Sequence, residues 1–290
     1  MLLKKIISCL VGVFLFACGD DDSDFISRPD GGAVESSSSD EVKYSSSSAK
    51  SSSSSSSKGL DWSVPKEAYL NPEIDYGTVT DERDGKTYKT VKIGDQIWMA
   101  ENLNFDAGLG GSGENVYEWS WCYNNVDKNC DVAGRLYTWA AAIDSVKLAT
   151  DADNPQDCGY GKKCRLALAG SVILIQGVCP SGWHLPSYDE WTTLFTAVGG
   201  QSIAANVLKS QRGCFGNGNG SDAFGFSAVP VDTRLPNGVF GDDGNVAYFW
   251  SATEDDETYV FDVYAHCLEE CTRLYISDKR YAYPIRCVKN

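Results

Sequence analysis

Histidine is nearly missing from this 290-residue sequence, which contains only His184 and His266. Two histidines exclude metal sites built from several imidazoles and relays that pass protons between histidines. Lysine and arginine number 25 against 40 aspartate and glutamate residues, so the formal charge is −15. Because phosphate binding needs clustered cations, this balance argues against nucleic acid as a partner.

Long apolar runs and familiar catalytic motifs are also missing. The stretch 6–16 is the main apolar run, and it is shorter than the roughly 20 residues that a transmembrane helix needs. The sequence has no Gly-x-Ser-x-Gly elbow, no His-Glu-x-x-His helix and no phosphate-binding loop. We therefore expect no cofactor and no metal site, and the sequence favours a protein that is not an enzyme while leaving an enzyme as the open alternative.

The first residues have the features of a bacterial secretory signal. Lys4 and Lys5 precede the apolar run, which ends at a small residue, and we place the signal peptide at residues 1–17. Residues 15–18, Leu-Phe-Ala-Cys, resemble the lipobox of bacterial lipoproteins, although Phe16 is bulkier than usual. The resemblance implies acylation of Cys18, which anchors the protein to the lipid bilayer of the outer membrane. An ordinary signal with an incidental cysteine is the alternative.

A polar linker follows at residues 18–60. Residues 19–24 form an acidic cluster that is similar to the surface-export signal of some lipoproteins, or is simply a solvated linker. Fifteen of the 22 residues from 36 to 57 are serine, a composition that cannot bury enough apolar area to fold. A linker of this length spans about 35 Å, so we expect a domain held away from the lipid at the cell surface.

The remaining chain reads as a lead-in segment at 61–79 and one domain at 80–290. Residues 86–93 and 96–99 predict a hairpin around the turn Gly94-Asp95. Helical spacing predicts a helix over 138–148, and Ser187 with Glu190 predicts a capping box before a second helix that ends at Gly199. A further helix is predicted at 203–209, and short strands at 226–231, 247–251, 259–264, 272–276 and 285–288. This pattern indicates an α+β fold, in which the helix after Ser187 and the helix at 203–209 are the two main helices and lie beside short twisted antiparallel strands.

Six segments of this region resemble the Fibrobacter succinogenes major paralogous domain. They are DGKTYKTVKIGDQIWMAENLN at 84–104, GRLYTW at 134–139, CPSGWHLPS at 179–187, GFSA at 225–228, FWSATE at 249–254 and IRCV at 285–288. Each segment alone is weak, but six in order are specific. The resemblance implies a surface or secreted protein, and it covers residues 80–290.

The same pattern is similar to the C-type-lectin-like fold of sulfatase-modifying, formylglycine-generating enzymes. The resemblance implies the fold more firmly than any activity. The chain departs from the family at residues 282–284, where Ala-Tyr-Pro replaces the usual Gly-Phe-Ser, and in its additional cysteines.

Nine cysteines lie beyond Cys18, and their spacing suggests a framework of disulfides. The expected pairs are Cys122 with Cys130, Cys158 with Cys164, Cys267 with Cys271, and Cys179 with Cys287. This assignment leaves Cys214 unpaired. The long Cys179–Cys287 loop is expected to stabilise the domain most, by about 4–5 kcal/mol in the chain-entropy model.

Cys267 and Cys271 also admit a catalytic interpretation. Formylglycine-generating enzymes hold copper with two thiolates near such a strand, but with four residues between them. Here three residues intervene, and the two glutamates among them would raise a thiol pKa and oppose thiolate formation. A structural disulfide is the favoured interpretation.

Four alternating aromatic residues form the candidate ligand-binding row: Tyr117, Trp119, Trp121 and Tyr123. In an extended segment alternate side chains share one face, and flat rings stack on sugar rings. A buried core stripe is the favoured interpretation, because Cys122 and its expected disulfide lie within the row. The acidic residues 254–257 could bind calcium, but a solvated loop is favoured, because the carbohydrate-binding triplets of calcium-dependent lectins do not occur.

The sequence therefore favours a lipid-anchored surface module that binds an extracellular polysaccharide or another envelope protein. A divergent copper oxidase and an inert structural protein of the envelope are the alternatives.

Overall fold

A computed structural model of the chain describes residues 59–110, 117–164, 174–241 and 243–290. The predicted signal peptide, Cys18 and the serine-rich linker up to residue 58 lie outside the described residues. None of the helices in the described part is both long and apolar enough to cross a membrane.

Five helices and thirteen short strands make up the described part of the chain. The helices are α1 (Asp127–Ala133), α2 (Trp139–Ala142), α3 (Ser145–Ala149), α4 (Tyr188–Ala197) and α5 (Gln201–Leu208). The strands are β1 (Gly77–Thr80), β2 (Thr87–Ile93), β3 (Gln96–Met99), β4 (Leu109–Gly110), β5 (Tyr117–Glu118), β6 (Ser120–Trp121), β7 (Leu136–Thr138), β8 (Trp183–His184), β9 (Val246–Glu254), β10 (Tyr259–His266), β11 (Arg273–Asp278), β12 (Ala282–Tyr283) and β13 (Val288–Lys289). Single 3-10 turns form at Lys66–Tyr69 and Tyr123–Asn125.

The strands form small antiparallel sheets. The orders are β1-β2-β3-β13-β8, β11-β10-β9, β12-β7-β6 and β4-β5. With helices beside these sheets, the fold is α+β, as the sequence predicts. The predicted hairpin is also confirmed, because β2 pairs with β3 around the turn from Ile93 to Gln96.

Strand β9 separates two hydrophobic clusters. Successive side chains of a strand point to opposite faces, so Tyr248 and Trp250 enter one cluster while Ala247 and Phe249 enter the other. The second cluster also receives Trp191 from α4, which lies in contact with Phe249 at 5.7 Å between ring centroids. This strand, at one edge of its three-stranded sheet, therefore packs against both halves of the core.

Helix α4 begins as its sequence predicts. The Ser187 hydroxyl accepts from the Glu190 N–H, and the Glu190 carboxylate accepts from the Ser187 N–H at 2.8 Å, which completes the capping box. The helix ends before Gly199 and Gly200, which both have positive φ.

The single helix predicted over 138–148 is wrong, because the structure has two short helices there. Asp144 lies between α2 and α3 with a left-handed φ of 52°, and its carboxylate accepts from the Lys147 N–H at 3.2 Å. Asp144 thus caps α3 instead of continuing α2. Val146, which a continuous helix would place on the same face as the buried Trp139 and Ala142, is 45% exposed.

The strand predicted over 226–231 is also wrong. This segment makes one isolated bridge, between Ala228 and Lys209, and Ser227 has a left-handed φ of 53°. The carbonyl oxygens of Phe226 and Ser227 accept hydrogen bonds from the Arg286 guanidinium. The apolar run is buried without joining a sheet because a side chain satisfies these backbone groups.

Four disulfides join pairs of cysteines in the described part of the chain, and three of them confirm the predicted pairs Cys122–Cys130, Cys158–Cys164 and Cys179–Cys287. The predicted pairing of Cys267 with Cys271, with Cys214 unpaired, is wrong. Cys267 is bonded to Cys214, which lies 53 residues earlier. The loop that follows Cys214 packs directly against Cys267, since a Cβ on Gly218 would lie 2.4 Å from the Cys267 carbonyl oxygen.

The predicted lead-in segment is packed into the domain. Leu60 and Tyr69 are buried in a third hydrophobic cluster. The Tyr69 carbonyl accepts from the Ser210 hydroxyl at 2.6 Å, and the Asn71 amide donates to the Asp222 carbonyl at 2.9 Å. The folded region therefore includes residues well before position 80.

Candidate functional site

A cleft of about 240 Å³ opens beside the lead-in segment. One wall comes from the 3-10 turn at Lys66–Tyr69 and from the start of β2. The other walls come from the loop after β3 and from the turn between α1 and β7. The residues that line the cleft include Lys66, Lys86, Tyr88, Glu101, Asn104 and Arg286.

Glu101 supplies a buried carboxylate to this cleft. Its side chain is only 7% exposed. One carboxylate oxygen accepts from the Lys89 N–H at 2.6 Å, and the other lies 3.2 Å from the Lys66 Nζ. A buried charge is costly unless it is paired, and these two contacts compensate it.

Two lysines border the cleft. Lys66 also donates to the Thr87 carbonyl at 2.8 Å, and its Nζ lies 5.3 Å from the centre of the Tyr88 ring. Lys86 donates to the Asn104 carbonyl at 2.7 Å. Both ammonium groups are partly exposed, whereas Glu101 is not, so the cleft places donors at its rim and an acceptor in its floor.

Arg286 lies beneath the cleft and is fully buried. Its guanidinium donates to the Asn102 side-chain oxygen at 2.6 Å and to the Met99 carbonyl at 3.2 Å, and also to the carbonyls of Phe226 and Ser227. Burial lowers the pKa of Arg286 to about 9, and the nearby carboxylates of Glu101 and Asp222 oppose this shift. The group stays charged at neutral pH and holds the floor of the cleft together.

Asp222 is the second buried acid below the cleft. Its carboxylate accepts from the Ser227 N–H at 2.7 Å and from the Ser227 hydroxyl at 2.6 Å. Burial raises the pKa of Asp222 to about 6, although hydrogen bonds from Ser227 and the charge of Arg286 oppose the shift. The Ser227 hydroxyl also lies 3.1 Å from the Tyr76 hydroxyl, so this network reaches the lead-in segment.

Gly134 explains why the turn after α1 can approach the cleft floor. A Cβ at this position would lie 2.6 Å from the Asn102 Cβ and 2.8 Å from the Leu103 carbonyl oxygen. Its φ of 74° and ψ of −169° also belong to a region that only glycine occupies readily. The GRLYTW segment therefore begins with glycine for a steric reason.

His184 and Glu190 form a second polar pair, away from the cleft. The His184 Nε2 lies 2.6 Å from a Glu190 oxygen, and its Nδ1 lies 2.8 Å from the Asn290 side-chain oxygen. Burial lowers the pKa of His184, but these hydrogen bonds outweigh burial and raise the pKa. Because Glu190 also completes the capping box, this histidine positions α4 rather than offering a free imidazole.

The four aromatic residues of the candidate row do not share one face of an extended segment. Trp119 and Tyr123 are each 4% exposed and belong to different hydrophobic clusters. Trp121 is half-buried, and the Arg234 guanidinium lies 4.0 Å from the centre of its ring. Tyr117 lies on the separate short strand β5, and the chain leaves the extended conformation at Tyr123, so the alternation predicted from sequence does not continue.

Two carboxylates of the acidic segment 254–257 make contacts within the protein. Glu254 pairs with the buried Lys279 at 2.5 Å, and Asp256 accepts from the N–H groups of Thr258 and Tyr259. Within the described ranges, no group of three or more His, Cys, Asp or Glu side chains is placed to hold a metal ion.

The cleft was missed by reasoning from sequence, although some of its residues carried a signal. Glu101, Asn102 and Arg286 lie in the segments that resemble the Fibrobacter domain, but the sequence did not indicate that they meet. Lys66 lies in the lead-in segment and carried no signal. The predicted disulfides and aromatic residues lie mostly elsewhere, and of them only Cys130 lines the cleft.

The segments that resemble the Fibrobacter domain lie in one folded region, and several of them contribute residues that contact Arg286. A family model described as the Fibrobacter succinogenes major domain matches residues 91–289. No curated protein and no solved structure gives a significant match to the chain. The family match covers more than half of the 290-residue chain, and the chain therefore belongs to the Fibrobacter succinogenes major domain family.

Proposed function

We propose that the chain is a cell-surface lipoprotein whose folded domain binds a saccharide without catalysing a reaction. The observation that carries this proposal is the cleft at Glu101, in which a buried carboxylate faces the Lys66 ammonium at 3.2 Å. An acceptor and a donor side by side are suited to neighbouring hydroxyl groups of a sugar ring. The volume of about 240 Å³ lies below the roughly 300–1,000 Å³ of pockets for drug-sized ligands, which favours a single ring.

The disulfide pairing of Cys267 favours a binding module over a copper oxidase. An oxidase of the formylglycine-generating type would need two thiolates at Cys267 and Cys271. Cys267 is instead bonded to Cys214 and is 3% exposed. A disulfide sulfur is not a thiolate, so Cys267 in this state offers no copper ligand.

The fold that we propose for the domain is C-type-lectin-like. In support, α4 and α5 lie among short antiparallel strands. The Cys179–Cys287 disulfide also connects the segment before α4 with the end of the chain, as this fold would require.

The anchor in this proposal is an acylated Cys18 in the outer membrane. The lipobox-like residues 15–18 and the serine-rich linker support it. Replacement of Cys18 by alanine should release the protein from the membrane fraction, and intact-mass measurement of the wild-type protein should show the acyl chains. A membrane-bound, unacylated wild-type protein would contradict the anchor.

Binding can be tested with a panel of insoluble polysaccharides, such as cellulose, xylan and chitin, together with a glycan array. For the full chain, we expect Glu101→Gln and Lys66→Ala to weaken binding by about tenfold, the cost of a hydrogen bond to a charged group. Glu67→Gln is the matched control, because Glu67 is exposed on the same 3-10 turn.

The outcomes separate the parts of this proposal. Glu101→Gln and Lys66→Ala could instead bind as well as the wild type, with unchanged melting temperatures. That result would show that the saccharide binds outside the cleft. No binding to any saccharide would reject the ligand class and favour an envelope protein or an inert structural role.

A further inference from the structure

Strand β11 (Arg273–Asp278) forms an outer edge of the sheet β11-β10-β9. It pairs with β10 without interruption, from Tyr259 opposite Asp278 to Tyr264 opposite Arg273. The irregularity in this sheet lies on the other side of β10, where it pairs with β9. Among the described residues, no strand pairs with the second edge of β11. Alternate N–H and C=O groups of this strand therefore point away from the sheet.

The strand lacks the features that usually protect such an edge. Its six residues include no proline, no lysine and no bulge. Tyr275, at its centre, is 44% exposed. The charges at its two ends are compensated locally, because Arg273 pairs with Glu269 at 3.1 Å and Asp278 pairs with Arg280 at 2.6 Å. Neither end carries an isolated charge that would oppose pairing.

The side chains of β11 alternate between two faces, and this alternation restricts how the strand can pair with itself. Arg273, Tyr275 and Ser277 lie on one face, and Leu274, Ile276 and Asp278 lie on the other. In an antiparallel pair, residues that lie opposite each other point to the same face of the sheet. When β11 pairs with β11 of a second copy, the twofold axis that relates the copies must therefore pass through a residue position and not between two residues.

An axis at Tyr275 gives complementary pairs. Tyr275 lies opposite Tyr275 of the second copy, and Leu274 lies opposite Ile276 of the second copy. Aromatic side chains that lie directly opposite each other stabilise the pairing of two strands. The antiparallel arrangement also brings the Arg273 end of one strand near the Asp278 end of the other.

We propose that β11 is a homodimer interface, in which the edge of one copy pairs antiparallel with the same edge of a second copy about an axis at Tyr275. The six-stranded sheet β9-β10-β11-β11-β10-β9 that results is continuous across the two copies. Because each copy carries one cleft, a dimer would bind a repeating polymer with higher avidity. That consequence rests on the proposed function, whereas the pairing itself does not.

Cross-linking tests the position of the axis directly. The full chain with Tyr275→Cys should form a disulfide-linked dimer under mild oxidation, since the two introduced thiols face each other. Tyr259→Cys is the matched control, because Tyr259 is 40% exposed but lies on β10, away from the axis. Cross-linking of both variants to the same extent, or of neither, would overturn the proposal.

A second measurement does not depend on an added thiol. Sedimentation equilibrium of the full wild-type chain should show an average mass that approaches two chains as concentration rises. Tyr275→Arg should remain monomeric, because two guanidinium groups would meet at the axis, whereas Tyr259→Arg should behave as the wild type. A monomeric wild type, or a dimer that survives Tyr275→Arg, would reject this interface. Dimerisation can fail here while saccharide binding succeeds, so the two proposals are tested separately.

Discussion

The guanidinium of Arg286 and the side-chain oxygen of Asn102 lie 2.6 Å apart, although 184 positions separate the two residues in sequence. Both residues are buried, and both belong to segments that resemble the Fibrobacter domain. Asn102 donates in turn to the Ala133 carbonyl at 2.8 Å, next to Gly134. One hydrogen-bonded chain therefore connects the end of the domain, the loop after β3 and the turn after α1.

Replacement of Arg286 by lysine should destabilise the domain by about 3 kcal/mol. The shorter cation cannot reach all four acceptors of the guanidinium, and unpaired buried carbonyls are costly. Arg280→Lys is the control, because Arg280 is half-exposed and its ion pair with Asp278 contributes little. Urea unfolding curves measure both effects. Equal midpoints for the two variants would show that Arg286 does not hold these segments together.

Gly134→Ala should cost about 3 kcal/mol, because a new Cβ would overlap the Asn102 side chain and the Leu103 carbonyl. Gly85→Ala is matched in backbone conformation, since Gly85 has a φ of 73° but no atom within 4 Å of the added carbon. That control should lose only about 1 kcal/mol from backbone strain. Thermal unfolding of the two variants separates the two costs. Similar losses would mean that close packing at Gly134 adds nothing.

Local features of this fold were predictable from sequence because short-range chemistry determines them. Ser187 and Glu190 define the start of α4 whatever surrounds the helix, and the Gly94-Asp95 turn determines the β2–β3 hairpin. The break at Asp144 was missed because its carboxylate competes for a backbone N–H that helical spacing alone does not reveal.

Most features that depend on distant residues were not predictable, and the Cys179–Cys287 disulfide is the exception. The short spacing of Cys267 and Cys271 suggested a local disulfide, but Cys214 is brought beside Cys267 by the loop that contains Gly218. The cleft combines Lys66 with Glu101, which lie in separate segments, and its position depends on the buried Arg286. The alternating aromatic residues offered an open face as one interpretation, but the chain leaves the extended conformation at Tyr123, and Trp119 and Tyr123 are buried.

Disulfide mapping should identify a peptide that links Cys214 to Cys267. Protease digestion of the full chain without reductant, followed by mass spectrometry, gives the pairing directly. In the chain-entropy model a loop of 53 residues stabilises by about 4 kcal/mol, so Cys214→Ser should lower the unfolding midpoint strongly. A peptide linking Cys267 to Cys271 would contradict this pairing and would restore the prediction made from their spacing.

Asp222 should make the stability of the domain depend on pH between about 4 and 6. Burial raises the pKa of Asp222 to about 6 from its ordinary value of 3.8, so the folded state binds the proton more tightly than the unfolded chain does. The contribution of Asp222 is therefore greatest below pH 3.8 and is lost as pH rises through about 6. The difference in pKa corresponds to a loss of about 3 kcal/mol.

Unfolding free energies measured across this pH range should show that loss in the wild type and its removal in Asp222→Asn. The amide is neutral at every pH, and its oxygen can still accept from the Ser227 N–H. Asp95→Asn, in the exposed turn after β2, should keep the wild-type pH dependence. His184 titrates outside this range. Because its pKa is raised in the folded state, its contribution to stability is lost only above about pH 6.5. A pH dependence that persists in Asp222→Asn would show that another buried group takes up the proton.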